Sequence, residues 1–153
     1  MEVAQDLHPA EVNASEMEAA MINLVMNAAE ASLPGGTVVI EAGNVQLAPE
    51  EAPEIYLPAP AQFVRLAIID SGRGVHPQDR QRIFDPFFTT KKTHKGMGLP
   101  VASSIVGRER GMLRLEKSDE LGTTFAVYLP CRSPSQSAAT DSATEDPIDS
   151  SAV

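Results

Sequence analysis

The sequence predicts one α/β domain, and three patterns support this class. A helical pattern of about four turns follows Ser15. A nearly continuous apolar run at 63–69 is typical of a central strand. The runs at 112–116 and 123–129 alternate as paired strands do. A chain of 153 residues has the size of a single domain, so the helix and strands are expected to share one core.

The first helix is predicted to begin at a capping box, Ser15 with Glu18, and to end before Pro34-Gly35-Gly36. On a helical wheel, one apolar face collects Met17, Met21, Leu24 and Ala28, widened by Ile22, Val25 and Met26. Asn23, Asn27 and Glu30 form a narrow polar stripe. Buried amides are costly without partners, so the stripe is either a solvent face or the wall of a polar site.

Other elements are predicted from local signals. Strand fragments are expected at 2–4 and 11–13, and full strands at 37–42 and 63–69. The Pro-rich, acidic stretch 46–61 predicts a long hairpin loop in which residues 55–57 pair briefly. A short helix is expected over 77–83, and a longer one from Pro100 to Gly107.

Three segments carry chemistry-bearing residues. Asp70 ends the central strand and is followed by Ser-Gly-Arg-Gly, which lets a backbone come close to a ligand. Residues 84–88, FDPFF, hold three of the chain's five phenylalanines. The basic, glycine-containing stretch 91–98 leads into a helix, whose first N–H groups can hold phosphate oxygens. Together they predict a site for a phosphorylated ligand with a polar aromatic end.

Composition narrows the classes of function. The net charge of −9 argues against non-specific nucleic-acid binding, which needs a basic surface. No run approaches the roughly 18 apolar residues of a membrane span, and the start lacks a signal-peptide pattern. The single cysteine, Cys131, fits a reducing compartment. Residues 132–153 are rich in Ser, Ala and Asp and are expected to form a disordered tail or linker after a domain spanning 1–131.

The motifs, taken in order, resemble the catalytic ATP-binding domain of a bacterial sensor histidine kinase, in the GHKL superfamily that includes type II topoisomerases. NLVMNAAEA is similar to the N box, DSGRG to the first Gly box and FDPFFTTK to the F box. KGMGL is similar to the second Gly box and GTTF to the third. The resemblance covers residues 12–130 and implies a Bergerat-type α/β two-layer sandwich. In that fold, helices pack on one face of a mixed sheet.

The resemblance also implies residue roles. Asn27, beside Asn23, would bind Mg²⁺ and the phosphates of ATP, and Asp70 would accept a hydrogen bond from the adenine amine. The remaining ATP-binding candidates are Gly72, Gly74, Lys91, Lys92, Gly96, Gly98, Leu99 and Thr124. Phe84, Phe87 and Phe88 would anchor a lid at 89–95. No catalytic residue is assigned, because the nucleophile of such a kinase comes from another domain.

The expected function is transfer of the γ-phosphoryl group of MgATP to a histidine on the dimerisation domain of the same kinase. Hydrolytic relatives carry Glu where this chain has Ala19, which argues against an ATPase. His8, His76 and His94 do not resemble a phosphoacceptor, so this fragment should phosphorylate little alone. A receiver domain of a response regulator is the expected downstream partner. A cytoplasmic location without direct membrane contact is expected, whether or not the parent kinase is membrane-anchored.

Two alternatives share the fold. One is a protein-serine kinase of the anti-sigma type, which would yield acid-stable phosphoprotein. The other is an interaction module that has lost ATP. Intact Asn27, Asp70 and lid glycines argue against the second, because unpaired buried polar groups cost about 1–3 kcal/mol each.

Overall fold

A five-stranded mixed sheet forms one layer of the protein in a computed structural model that describes residues 1–91 and 95–131. The strands are β1 (Glu2–Val3), β2 (Val38–Leu47), β3 (Ala61–Asp70), β4 (Met112–Asp119) and β5 (Gly122–Pro130). The helices are α1 (Ala14–Ala31) and α2 (Gly98–Arg108), with a 3-10 turn at Pro49–Glu51. Lys92, His94 and the tail predicted at 132–153 lie outside the described residues.

The sheet order is β1-β2-β3-β5-β4, with β1 parallel to β2 and the other neighbours antiparallel. In this register Asp70 pairs with Val38 on one side and Thr123 on the other. The main core lies between one sheet face and both helices, and it includes Leu24, Ile68, Val106 and Phe125. The predicted sandwich, with helices on one face of a mixed sheet, is therefore confirmed.

The N-cap of helix α1 lies two residues earlier than the capping-box pattern predicts. The side chain of Asn13 accepts the backbone N–H of Glu16 at 3.1 Å and caps the helix, so the prediction of Ser15 with Glu18 is wrong. The buried stripe is Met17, Ala20, Leu24 and Ala28. Ile22 and Met26 are each 55% exposed, because the sheet covers a narrower arc of the helix than the apolar wheel suggests.

The opposite face of the sheet carries a smaller cluster that includes Phe63, Met112 and Tyr128. Part of the chain between β2 and β3 covers it and buries Ala52. Arg114 secures this covering segment through an ion pair with Glu54 and a 2.8 Å bond to the carbonyl of Glu51. The segment is a 3-10 turn with irregular chain, so the brief pairing predicted at 55–57 is wrong.

Four other local predictions differ from the structure. Residues 77–83 form consecutive turns rather than a helix, and 11–13 form no strand. Helix α2 begins at Gly98, so Pro100 is its third residue, still within the first turn where a missing N–H costs little. Strand β2 extends to Leu47, past the predicted end at 42, because β3 pairs along its whole length. None of the described helices is both long and apolar enough to cross a membrane.

Candidate functional site

A cavity of about 630 Å³ lies beside α1 and is bordered by the loop after β3, the 83–91 segment and the start of α2. Its lining brings together residues from all five sequence motifs, which the chain carries far apart. The predicted site residues in the lining are Asn23, Asn27, Asp70, Gly74, Phe88, Lys91, Gly96, Gly98 and Leu99. Gly72, Thr124, Phe84 and Phe87 are not in the lining.

Asp70 lines the cavity and is only 4% exposed. Its Oδ1 accepts the backbone N–H of Gly72 at 2.8 Å and that of Thr123 at 3.2 Å. Because β5 pairs with β3 beside it, Thr123 is brought directly to this carboxylate. Two hydrogen bonds to one oxygen fix the orientation of the carboxylate.

The glycines after Asp70 serve different purposes. Gly74 lines the cavity at φ +74°, and a Cβ there would lie 2.2 Å from the carbonyl oxygen of Asp119. Gly72 lies outside the cavity lining, where it forms a β-bridge with Ser32 at the end of α1. A Cβ on Gly72 would lie 2.4 Å from the carbonyl oxygen of Ala31. Gly72, an ATP-binding candidate from the motifs, therefore allows close packing of loop and helix and lies outside the cavity lining.

Strand β5 contributes Thr123 and Phe125 to the cavity, two residues apart. Alternate residues of a strand face opposite sides of the sheet, so Thr124 points away from the cavity. The structure places Thr123, and not the predicted Thr124, in the cavity lining. The alternation of side chains along the strand would have identified Thr123 as the residue facing the cavity if the start of β5 had been known.

Two aromatic contacts and a backbone hydrogen bond hold the 84–88 segment in place. Phe84 packs edge-on against Phe125 with ring centroids 6.3 Å apart, and Phe88 lies under the guanidinium of Arg82. The side chain of Phe87 is 75% exposed, and its backbone N–H donates to the carbonyl of Gly96 at 3.1 Å. A Cβ on Gly96 would lie 2.4 Å from the carbonyl oxygen of Phe88.

Another part of the cavity lining carries cations and backbone donors. Lys91 Nζ lies 3.3 Å from Asn27 Oδ1 and 2.8 Å from Glu30 Oε2. Lys95 and the first residues of α2, Gly98 and Leu99, also line the cavity. The first N–H groups of a helix have no partners within the helix, so they can hold an anion.

Several lining residues were not predicted as site residues from the motifs. They include Val75, His76 and Asp79 after the glycine loop, Ile83, Met97, Thr123 and Phe125. Their participation depends on long-range packing, and only Thr123 and Phe125 carried a local signal, the strand alternation.

Residues 13–133 match the family described as histidine kinase-, DNA gyrase B-, and HSP90-like ATPase. The chain belongs to this family. The resemblance drawn from the motifs is thereby confirmed, and the relatives of this ATPase-family domain agree. Sensor kinase CckA of Brucella abortus is 32% identical over 129 residues, which cover 82% of this chain and 14% of that protein. Sporulation kinase A of Bacillus subtilis is 28% identical over 116 residues, 76% of this chain and 17% of the relative.

Solved structures give the same assignment. The mycobacterial sensor histidine kinase MprB superposes with a TM-score of 0.63 at 29% identity, covering 86% of this chain and 80% of that one. The catalytic domain of histidine kinase ThkA superposes with a TM-score of 0.65 at 27% identity, covering 85% and 76% of the two chains. This ATPase-family domain spans 14–25% of the length of such curated relatives as CckA and sporulation kinase C.

Proposed function

We propose that this domain binds MgATP in the cavity and presents its γ-phosphoryl group to a histidine on a separate dimerisation domain. The observation that carries the proposal is the composition of the cavity lining. It combines a fixed, buried acceptor, Asp70, with Lys91 and the N-terminus of α2. An adenine amine suits the acceptor, and a triphosphate suits the lysine and the helix N-terminus.

Each wall has a role in this arrangement. Asp70 accepts a hydrogen bond from the exocyclic amine, and Gly74, Val75 and Phe125 border the flat base. Thr123 takes the place first given to Thr124. Gly96, Gly98 and Leu99 border the phosphates with backbone, and Lys91 adds positive charge. Asn23 lies beside Gly98, where an added Cβ would be 3.8 Å from Asn23 Oδ1.

The donor set proposed to lie beside the phosphates fits Mg²⁺. Asn27 Oδ1 and Glu30 Oε2 are hard oxygen donors, and they already hold one cationic group, Lys91 Nζ. When bound, Mg²⁺ supplies charge neutralisation to the phosphate oxygens. The residues of this chain orient the nucleotide and keep its phosphates beside backbone N–H groups.

The proposed reaction is an in-line displacement. A histidine nitrogen of the partner domain forms a bond to the γ-phosphorus, the bond from that phosphorus to the β–γ bridging oxygen breaks, and ADP leaves. Catalysis of this kind is mostly positioning and charge neutralisation, so no protein side chain of this domain need react. A receiver domain of a response regulator would then accept the phosphoryl group.

The binding step is tested by calorimetric titration of a non-hydrolysable ATP analogue into the unaltered chain and Asp70→Asn. Loss of the adenine acceptor should weaken binding about 5- to 150-fold, or roughly 1–3 kcal/mol. Asp6→Asn, an exposed site in the N-terminal segment, is the matched control and should bind normally. Absence of binding by the unaltered chain would reject the proposal and favour the nucleotide-free interaction module.

The transfer step is tested by adding the dimerisation domain of the parent kinase in trans with labelled ATP. Acid-labile label on that domain supports histidine phosphorylation. Acid-stable label would favour the serine-kinase alternative, and no label at high protein concentration would contradict transfer.

A further inference from the structure

Two oxygen atoms from adjacent turns of α1 hold a cation in the lining of the cavity. Asn27 and Glu30 are three residues apart, so their side chains lie on the same side of the helix. Lys91 Nζ contacts both, at 3.3 Å from Asn27 Oδ1 and 2.8 Å from Glu30 Oε2. The Lys91 and Glu30 side chains are each 31% exposed, which leaves the pair open to the cavity that both residues line.

A carboxylate at this place is an obstacle to a triphosphate unless a cation lies between them. Like charges about 4 Å apart in water repel by roughly 1 kcal/mol, and more where solvent is partly excluded. Lys91 forms an ion pair with Glu30 in the structure, but Lys91 is also one of the lysines proposed to face the phosphates. One ammonium group cannot neutralise the carboxylate and the phosphates equally well.

We propose that Asn27 and Glu30 form a cation seat, which Lys91 fills in the nucleotide-free domain and a divalent cation fills when nucleotide binds. Glu30 is thereby a cation-binding residue in addition to the asparagine of the motif. The inference rests on the proposed nucleotide-binding function and deepens it. Cation entry releases Lys91 toward the phosphates, so the domain discriminates strongly between MgATP and ATP without metal.

The test compares the affinity of the ATP analogue with Mg²⁺ and with EDTA, expressed as the ratio of the two dissociation constants. Glu30→Gln removes the repelling charge and should tighten binding in EDTA about fivefold, while binding with Mg²⁺ weakens. The ratio should therefore fall at least about fivefold. Glu30→Asp should keep most of the ratio. Glu18→Gln, an exposed carboxylate on α1 outside the cavity lining, is the matched control and should keep all of it.

A second measurement tests the competition between the two cations. Lys91→Gln removes the resident ammonium, so the Mg²⁺ concentration at half-maximal nucleotide binding should fall. An unchanged or higher midpoint overturns the competition. If Glu30→Gln still binds the nucleotide with an unaltered ratio of the two dissociation constants, Glu30 is not part of a cation site. That result contradicts this inference but not the proposed function. Failure of the unaltered chain to bind the analogue with or without Mg²⁺ is the different result that rejects the function itself.

Discussion

Ser118 Oγ accepts the backbone N–H of Val75 at 2.6 Å, which joins the β4–β5 hairpin to the loop that borders the cavity. Arg80 reinforces the junction by donating to the carbonyl oxygens of Ser118 and Val75. Gly74 fits beneath the same hairpin, against the Asp119 carbonyl. The loop proposed to face adenine is thus held by residues that lie outside the cavity lining.

Ser118→Ala should therefore weaken nucleotide binding. It leaves a half-buried backbone N–H without its acceptor, a loss worth about 1 kcal/mol or more, or roughly fivefold in affinity if it acts through this loop. Titration of the ATP analogue measures the effect. Ser104→Ala on α2, outside the cavity lining, is the control. Equal nucleotide affinities in the two variants would mean that the loop at Gly74 and Val75 keeps its position without Ser118.

Gly74→Ala and Gly35→Ala separate backbone strain from steric clash. Both glycines have φ near +80°, but a Cβ at Gly35 meets nothing within 4 Å, whereas one at Gly74 meets the Asp119 carbonyl at 2.2 Å. Gly35→Ala should cost only the strain of the left-handed conformation, about 1–2 kcal/mol in the free energy of unfolding. Gly74→Ala should cost clearly more and also weaken nucleotide binding. Chemical denaturation and titration measure the two effects. Similar losses of unfolding free energy in the two variants would show that the β4–β5 hairpin moves easily to make room for the added Cβ.

Asn13→Ala should destabilise the domain by about 1 kcal/mol, because it removes the side chain that caps α1. Ser15→Ala, the rival cap suggested by the sequence, should change the free energy of unfolding by only a few tenths of a kcal/mol. Urea denaturation of the two variants decides between the caps. A larger effect at Ser15 would contradict the structure.

Glu116 should make the domain sensitive to acid. The guanidinium of Arg65 donates to its carboxylate, and Tyr128 Oη donates as well, so the pKa of Glu116 is held below its ordinary 4.5. The folded form therefore binds the proton less readily than the unfolded form. This contribution to stability is present above about pH 4.5 and is lost as the pH falls through the lowered pKa.

Glu116→Gln should accordingly lose less free energy of unfolding than the unaltered chain between about pH 6 and about pH 3.5. Denaturation series at several pH values measure the slope. Glu120→Gln, an exposed carboxylate at the β4–β5 turn, serves as control. A slope that matches the unaltered chain in Glu116→Gln would assign the acid sensitivity elsewhere.

Much of the fold follows from local patterns, because the buried stripe of α1 is visible in the spacing of its apolar residues and β4 and β5 alternate as paired strands do. The cap of α1 does not follow in this way. Asn13 and Ser15 are both good caps, and the choice depends on how the preceding segment enters the helix. The exposure of Ile22 and Met26 likewise depends on how wide an arc of α1 the sheet covers, which is a tertiary property.

The site was predictable wherever a motif fixes both residue and orientation, as for Asp70 at the end of β3. The site was not predictable where a shift of one residue along a strand decides which side chain faces the cavity. Thr123 and Thr124 are chemically identical, and only the two-residue turn before Gly122 determines which of them faces the cavity. Glu30 was visible on the polar stripe, but its meeting with Lys91, 61 residues away, requires the folded chain.

Strand β4 ends the sheet, and its outer side could in principle accept a further strand from another chain. The register shift between Leu115 and Lys117 interrupts the regular spacing of its backbone groups. Charged side chains at Arg114, Glu116, Lys117 and Asp119 follow one another along the same strand. Irregular, charged edges of this kind resist edge-to-edge pairing, so the bulge that shapes the hairpin also protects the domain from aggregation by sheet extension.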